Sequence, residues 1–361
     1  MLRSIRNMIK KSQKQDAGDN STNLQSEIAT INTTNHYGIT YADAKEIALD
    51  VFNANFPRLR AEAAATAQER AEDVTEKFFI KLNERNPEAI KEFEQPAMQD
   101  ALLTVQKQYA ISGDKELGDL LVDILVDRAA EPKRNMLQIV LDESLTVAPK
   151  LTVEQLDTIT LNFLLVRTRR MDLLRYIDLV NYLTSKVCPF IEGLSNEKTD
   201  YNHIEYLVCG HVRAGNYGNL ENKLRQTYKG FFSIGFTLED IENEFGNTIK
   251  LREFLIPCFH NTQKLQLSFY DDSVLEELTK RKEYSDEEII KLKGIFERTT
   301  MPQDEVKDTL ILAIPSMTKI FEIWDASPLK SLELTSVGVA IAHANYRRKT
   351  NETMDLSIWI K

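Results

Sequence analysis

The feature that most constrains the fold is a helical repeat of apolar residues between Thr40 and Leu82. Thr40 is a good N-cap residue, and Asp43 lies three positions later, as in a weaker relative of the capping box. Apolar side chains then recur at the three- and four-residue spacing of one helix face. Pro57 should kink or split this helix near residues 55–56. The repeat predicts a long helical segment and favours a mainly α-helical fold.

The same periodicity continues through the middle of the chain, where glycine and proline separate further segments. The predicted helices are residues 96–111, 114–130, 133–147, 152–168 and 171–187, and short strands are predicted at 265–270, 332–334 and 356–360. Capping boxes are predicted at residues 152–155 and 285–288. Glycine accounts for only 13 of 361 residues, which disfavours a hairpin-rich sandwich. The sequence therefore predicts a mainly α, multi-helix protein with a few short strands.

Composition divides the chain into four predicted regions. Residues 1–23 form a disordered basic and polar tail, and residues 24–85 form an assembly module of one strand and the long helix. Residues 86–270 form a helical domain, and residues 271–361 form a small helical or winged-helix-like domain. Within the tail, residues 1–11 alternate apolar and basic faces at helical spacing, so contact with a membrane surface is the alternative to disorder.

Two parts of residues 24–85 carry the assembly prediction. The strand at residues 24–31 has little to bury by itself, and an unpaired strand is an edge that can pair with another chain. The alanine-rich stretch at 61–67 would let helices approach closely. The residues predicted to make assembly contacts are Leu24, Ile28, Ile47, Val51, Phe52, Leu59 and Ala63. The alternative is a disordered tail followed by a helix that packs on its own domain.

Charge and cysteine content limit the classes of function. The net charge of −10 disfavours general binding to nucleic acid, because an acidic surface repels phosphate backbones. The three cysteines are an odd number in a long chain, which fits a reducing compartment. No apolar run approaches the roughly 20 residues that a membrane span requires. A cytoplasmic location without a transmembrane segment is predicted.

Two Cys-x-His pairs are the main candidates for chemistry. Cys209 with His211 and Cys258 with His260 together supply the two thiolates and two imidazoles of a tetrahedral zinc site. The one-residue spacing is unlike a usual zinc knuckle, and ordinary buried cysteines and histidines are the alternative. The same residues could supply a thiol nucleophile. The sequence contains no P-loop, no Gly-x-Ser-x-Gly and no His-Glu-x-x-His motif, and no cofactor is predicted.

Two stretches near the N-terminus carry a family resemblance. GDNSTNLQ at residues 18–25 and YGITYADAKEIALDVFNANFPRL at residues 37–59 resemble an N-terminal module of many bacterial proteins, some of them suspected in anti-phage defence. The whole chain, through VGVAIAHANYRRKTNETMDLSIWI at residues 337–360, resembles one full-length bacterial family of unknown function. The resemblance implies a bacterial cytosolic protein with a role in conflict or stress, and it brings no activity to transfer.

A second resemblance lies near the C-terminus. LELTSVGVAIA at residues 332–342 is similar to the strand and helix of winged-helix domains, and residues 316–324 are the candidate recognition helix. Residues 285–361 contain ten lysines and arginines against twelve aspartates and glutamates, which favours a protein-binding winged helix over a duplex-binding one. The one basic cluster, formed by Arg347, Arg348 and Lys349, is the nucleic-acid candidate. Its alternative role is to complement the dipole at a helix C-terminus.

Three functional hypotheses follow from these patterns. The leading one is a non-enzymatic, homo-oligomeric interaction or sensor protein with a protein partner. The first alternative is a DNA-binding transcriptional regulator that uses Arg347, Arg348 and Lys349. The second alternative is a zinc- or thiol-dependent enzyme built on the two Cys-x-His pairs.

Overall fold

The protein is mainly α-helical, with a few short strands, throughout the part of the chain that the structure describes. A computed structural model describes residues 39–55, 61–215, 218–245, 249–269, 273, 277 and 284–361. The predicted fold class is confirmed. No helix within these ranges has both the length and the apolar character needed to cross a membrane.

The helices follow one another with short connections. In chain order the α-helices are α1 Tyr41–Asn55, α2 Ala61–Arg85, α3 Pro96–Ser112, α4 Lys115–Ala129, α5 Met136–Val147, α6 Val153–Asn162, α7 Tyr176–Tyr182, α8 Lys198–Tyr206, α9 Leu220–Thr227, α10 Leu238–Phe245, α11 Asp286–Arg298, α12 Gln303–Ala313, α13 Met317–Ala326 and α14 Ser336–Thr350. Short 3₁₀ helices cover Pro87–Glu94, Ala148–Lys150, Cys188–Phe190, Lys229–Phe231, Ile249–Phe254, Pro328–Ser331 and Leu356–Ile358, and π-helical turns cover Phe163–Arg167 and Leu183–Val187. The segment around Pro57, where the long helix was predicted to split, lies outside the described residues.

Three predicted helix caps are confirmed by their hydrogen bonds. At α1, the Asp43 N–H donates to Thr40 Oγ1 at 3.2 Å, and the Thr40 N–H donates to Asp43 Oδ2 at 3.1 Å. The same reciprocal pattern caps α6 through residues 152–155 and α11 through residues 285–288. Such boxes satisfy main-chain donors that a helix leaves unpaired at its start.

Four short strands form two antiparallel pairs. Strand β1 Gly210–Val212 pairs with β4 Leu332–Leu334, and β2 Leu255–Pro257 pairs with β3 Leu265–Leu267. The strands predicted at 332–334 and 265–270 are therefore present, the second in shortened form. The strand predicted at 356–360 is wrong, because residues 356–358 form a 3₁₀ helix whose first turn is capped by the preceding aspartate.

Two separate groups of buried side chains make up most of the core. The larger group runs from α1 to the C-terminal residues and includes α14, whose residues Gly338 to Arg347 are all buried. A smaller group lies between residues 236 and 296 and joins α10, β3 and α11. Residues 39–361 form one compact unit. The domain boundaries placed after residues 85 and 270 stay predictions.

Helix α14 occupies the centre of the larger core, where it packs against α4, α5 and α6. Its first half carries the small residues Gly338, Ala340, Ala342 and Ala344, which let neighbouring backbones approach closely. A Cβ atom at position 338 would overlap the carbonyl oxygen of Cys209 and lie 2.8 Å from its carbonyl carbon. The absence of a side chain at Gly338 therefore lets the segment before β1 rest directly on this helix.

The second half of α14 is held by buried charges. The Arg347 guanidinium donates to both carboxylate oxygens of Asp127, each at 2.8 Å, and to the Asp123 carbonyl oxygen at 2.8 Å. The Asp123 carboxylate is 1% exposed and lies 3.1 Å from Lys81 Nζ and 2.8 Å from Arg85 Nη1. These ion pairs connect α14, α4 and α2. Because Arg347 is 4% exposed, breaking its pairs would leave charge in a poorly solvated place.

We expect Gly338→Ala to lower the free energy of unfolding by about 2–3 kcal/mol, because the added methyl group overpacks the contact with Cys209. The matched control is Gly294→Ala in α11, where the nearest described atom to a new Cβ is the end of the flexible Arg298 side chain at 3.9 Å. In this control we expect the free energy of unfolding to rise by about 0.5–1 kcal/mol, because alanine is more favourable than glycine inside a helix. Urea unfolding followed by circular dichroism measures both, and equal effects of the two substitutions would contradict the packing argument.

We expect Arg347→Ala to lower the free energy of unfolding by about 3–5 kcal/mol, because it leaves buried carboxylates without their main cation. Arg175, which pairs at the surface with Asp178, provides the control. Arg175→Ala should leave the urea midpoint unchanged. A similarly small effect of Arg347→Ala would show that the buried pairs do not hold α14 in place.

Candidate interaction site

The turn that joins α8 to β1, residues 206–209, has a strained backbone. Val208 adopts a left-handed conformation with a φ of 57°. This conformation costs about 1–2 kcal/mol per residue, and it is exceptional for a β-branched side chain. The Val208 N–H donates to the Glu205 carbonyl at 2.9 Å, and the Cys209 N–H donates to the Ile204 carbonyl at 3.0 Å. Strain of this kind persists where the surrounding structure imposes it, and it clusters at binding sites.

The start of α14 fixes the position of the 206–209 turn. The Thr335 hydroxyl donates to the Val208 carbonyl oxygen at 2.6 Å, and the Thr335 N–H donates to the Cys209 carbonyl oxygen at 3.1 Å. The same hydroxyl accepts from the Gly338 N–H at 3.2 Å and so caps α14. The turn is therefore held by the buried helix as well as by its own hydrogen bonds.

Two large apolar side chains project from the 206–209 turn into solvent. Tyr206 is 80% exposed and Val208 is 58% exposed. The Tyr206 ring stacks loosely on His203, with centroids 6.4 Å apart, and His203 Nδ1 lies 3.0 Å from Gln155 Oε1. Exposed aromatic side chains on a rigid backbone are typical anchors of protein interfaces, because little conformational freedom is lost on binding.

A charged face lies beside the turn on the β1–β4 pair. His211 is directly opposite Glu333, and Arg213 follows the last residue of β1. Arg213 Nε forms an ion pair with Glu333 Oε2, and Arg167 Nη2 lies 3.4 Å from Glu333 Oε1. Arg167 Nη2 also lies 3.4 Å from the Leu334 carbonyl oxygen. A single carboxylate thus contacts two arginines, and we call His211, Arg213 and Glu333 the outer face.

Two further features mark this region. Arg167 is the last residue of the π-helical turn that continues α6. Such turns are rare in proteins as a whole, but those that occur are often at functional sites. Lys223 of α9 is partly buried, and burial together with the positive charge of Arg167 lowers its pKa. The positive charge of Arg167 thus affects Lys223 as well as pairing with Glu333.

The structure separates the four residues predicted to bind zinc. Cys209 is buried, its thiol donates to the Leu207 carbonyl at 3.7 Å, and burial raises its pKa to about 12. His211 is exposed on the outer face. The Cys258 thiol donates to a main-chain carbonyl at 3.3 Å, and His260 Nε2 lies 2.7 Å from another. In the described ranges, no three His, Cys, Asp or Glu residues form a group that could hold a metal ion.

These contacts match the alternative interpretation of the Cys-x-His pairs as buried structural residues. Burial lowers the pKa of His260, and the hydrogen bond to the Phe231 carbonyl only partly offsets it. A thiol that titrates near pH 12 is a poor nucleophile at neutral pH, because the thiolate is the reactive form. The geometry therefore lends no support to a zinc site or to Cys209 as a nucleophile.

The three residues predicted to contact nucleic acid make internal contacts. Arg347 is buried against Asp123 and Asp127, as described above. Arg348 Nη1 lies 3.0 Å from Glu116 Oε2, and Lys349 Nζ lies 2.8 Å from Asp157 Oδ2. All three cations lie in the last turn of α14, where positive charge also complements the helix dipole. These contacts agree with the alternative interpretation, in which the three cations complement the dipole at the C-terminus of α14.

The residues predicted to drive assembly have different environments. Phe52 is 2% exposed and, with Val51 beside it, packs against α2 and α3 of the same chain. Ile47 is partly exposed and Ala63 is exposed. Leu24, Ile28 and Leu59 lie outside the described residues. The contacts of Val51 and Phe52 are thus intramolecular, while Ile47 and Ala63 keep accessible surface.

The residues that distinguish the site could not be found from the sequence. Val208 carries no signal, because a valine predicts an extended backbone and not a left-handed one. Arg167 lies more than a hundred residues before Glu333 in the chain, so their contact could not be read from spacing. The sequence does not mark Tyr206 as exposed either, because aromatic side chains mostly contribute to protein cores.

Comparison with known proteins places the chain in a family. A protein-family model matches residues 38–360, which cover nearly the whole chain. The chain belongs to this family. The family is one of unknown function, as the sequence resemblance implied. No curated protein and no solved structure matches the chain. The match covers nearly all of the residues that the structure describes, and it assigns no activity to them.

We expect Val208→Asn to raise the free energy of unfolding by about 1 kcal/mol, because asparagine tolerates a positive φ better than valine. The control is Val153→Asn in the first turn of α6, an exposed valine with helical backbone. Urea unfolding of both variants measures the difference. If Val208→Asn is no more stable than Val153→Asn, the turn does not store strain.

Proposed function

We propose that this chain is a non-enzymatic interaction protein of the bacterial cytoplasm that binds a protein partner through the 206–209 turn. The observation that carries the proposal is the strained turn at Val208, which is fixed by Thr335 and presents Tyr206 to solvent. An enforced backbone with exposed apolar side chains is the arrangement that hot spots of protein interfaces require. The unfavourable backbone conformation is then explained by the position that it gives to Tyr206.

The proposal extends to self-assembly and to a role in anti-phage defence or stress. The resemblance of residues 18–25 and 37–59 to a module of bacterial proteins suspected in defence supports the role. The exposed surface of Ile47 and Ala63 on α1 and α2 is available for contact with a second copy. The partner bound at Tyr206 would signal through a homo-oligomer in this scheme.

A photoreactive phenylalanine analogue at position 206 tests the interaction in bacterial cells that express the full chain. We expect a discrete cross-linked adduct at this position, and a larger amount of it during phage infection. The matched control is the same analogue at position 312, because Leu312 is 87% exposed but lies on α12, outside the turn. Adducts are detected by immunoblot and identified by mass spectrometry.

The outcomes separate the parts of the proposal. No adduct at 206, or the same adducts at 206 and 312, contradicts binding through the turn. An adduct that does not respond to infection, together with unchanged plating of phage on expressing cells, contradicts the defence role. Light scattering of the purified full chain gives the mass of the assembly, and the mass of a single chain contradicts self-assembly.

A further inference from the structure

Arg128, near the end of α4, is a buried cation with unused hydrogen-bond donors. It is 2% exposed, and its Nε donates to Asp142 Oδ1 at 2.5 Å. Neither of its terminal nitrogens, Nη1 and Nη2, has a hydrogen-bond partner among the residues that the structure describes. Unpaired donors are costly in a poorly solvated place, and the two terminal nitrogens of a guanidinium carry four of its five N–H groups. A ligand with acceptor oxygens would satisfy them.

Arg128 lines a pocket of about 300 Å³ that also includes the start of α3 and the connection between α4 and α5. The first turn of α3 contributes Ala97 and Met98, and Gln95 before it makes no side-chain cap. A helix start carries partial positive charge and unpaired N–H groups. Arg134, on the exposed side of the pocket, adds a second cation. These groups favour a negatively charged group in the pocket.

The same pocket holds acceptors that lack donors. Gln138 is buried, and its Nε2 donates to the Glu131 carbonyl oxygen at 2.8 Å, which fixes the orientation of the amide. No described residue donates to Gln138 Oε1. Glu92 lines the pocket as well, and its carboxylate forms no ion pair within the described ranges. Both groups suit a ligand that carries an N–H donor close to its anionic group.

We propose that this pocket binds a free α-amino acid. The carboxylate of the ligand accepts two parallel hydrogen bonds from the terminal nitrogens of Arg128, the geometry in which a guanidinium matches a carboxylate. Its α-ammonium group donates to Gln138 Oε1 and pairs with Glu92. A zwitterion adds no net charge to a pocket where Asp142 and Glu92 already balance Arg128 and Arg134, whereas a phosphate dianion would leave an excess of negative charge.

An adjoining pocket predicts the kind of side chain that the amino acid carries. It has a volume of about 380 Å³ and shares Ala97 and Arg134 with the first pocket. Three carboxylates line it, those of Asp100, Asp142 and Glu143, and Arg134 is the one cation among its lining residues. A side chain that extends from the first pocket into the second therefore meets net negative charge. This charge favours the basic amino acids arginine and lysine.

Calorimetric titration of the full chain with L-arginine tests the site, and L-glutamate and N-acetyl-L-arginine are the comparison probes. We expect saturable binding of L-arginine and binding about tenfold weaker for each of the other two. L-glutamate places a negative side chain beside the carboxylates of the adjoining pocket. N-acetyl-L-arginine keeps the carboxylate and the side chain but has no ammonium group for Glu92.

Two substitutions test the pocket from different sides. Arg128→Lys keeps a cation beside Asp142 but removes the paired donors, so L-arginine should bind about tenfold more weakly. Ala97→Leu fills the pocket from an exposed position and changes no charge, so it should weaken binding at least as much. The matched controls are Arg175→Lys at a surface ion pair and Ala65→Leu at an exposed position of α2, and both should bind as the wild type does. Circular dichroism shows whether each variant is folded.

Each outcome decides for or against the site. Saturable binding of L-arginine that weakens with both comparison probes and both pocket substitutions, and persists in the controls, supports it. No saturable binding of L-arginine, equal binding of the three probes, or unchanged binding by Ala97→Leu overturns the proposal. If Arg128→Lys does not fold, Ala97→Leu decides. The site shares no residue with the 206–209 turn, and cross-linking at position 206 is measured separately, so failure here leaves the proposed partner contact unaffected.

Discussion

The position of α14 depends on the contacts of the buried Arg347 guanidinium with Asp123 and Asp127 of α4. Its two hydrogen bonds to Asp127 fix the rotation of α14 about its axis, and its hydrogen bond to the Asp123 carbonyl oxygen fixes how closely α14 approaches α4. Lys81 and Arg85 of α2 complete the shell around Asp123. A charge pair in a helical core costs desolvation, and it stabilises one arrangement of the helices above alternatives in which those charges would be unpaired.

This fixed helix connects the core to the surface. Its charged end joins α4 and α2, and its capped start holds the 206–209 turn through Thr335. A change at one end therefore has a physical route to the other, since α14 is rigid and closely packed along its length. The route passes through α2, which directly follows the N-terminal segment at residues 37–59 that carries the family resemblance. This arrangement gives the proposed partner contact at the turn a physical connection to the N-terminal region.

The structural features that could be predicted from the sequence are those that depend on residues close together in the chain. The helix starts at Thr40, Thr152 and Ser285 could be predicted, because each depends on hydrogen bonds between two residues only three positions apart. Thr335, the N-cap of α14, likewise lies in the stretch at residues 332–342 that resembles a strand followed by a helix. The pairing of β1 with β4 and the ion pairs of Arg347 were not predictable, because their partners lie more than a hundred residues away. The strand predicted at 356–360 failed, since apolar alternation does not distinguish a strand from a short turn capped by aspartate.

The contact between Gly338 and the Cys209 carbonyl has a consequence for how the surface turn can change over evolution. The backbone of the turn is set by hydrogen bonds and by a glycine below it, and neither depends on the side chains at 206 and 208. Substitutions at these two positions can therefore alter the surface that the turn presents while its shape is retained. This surface can vary without rebuilding of the core, much as variable loops do on a constant framework.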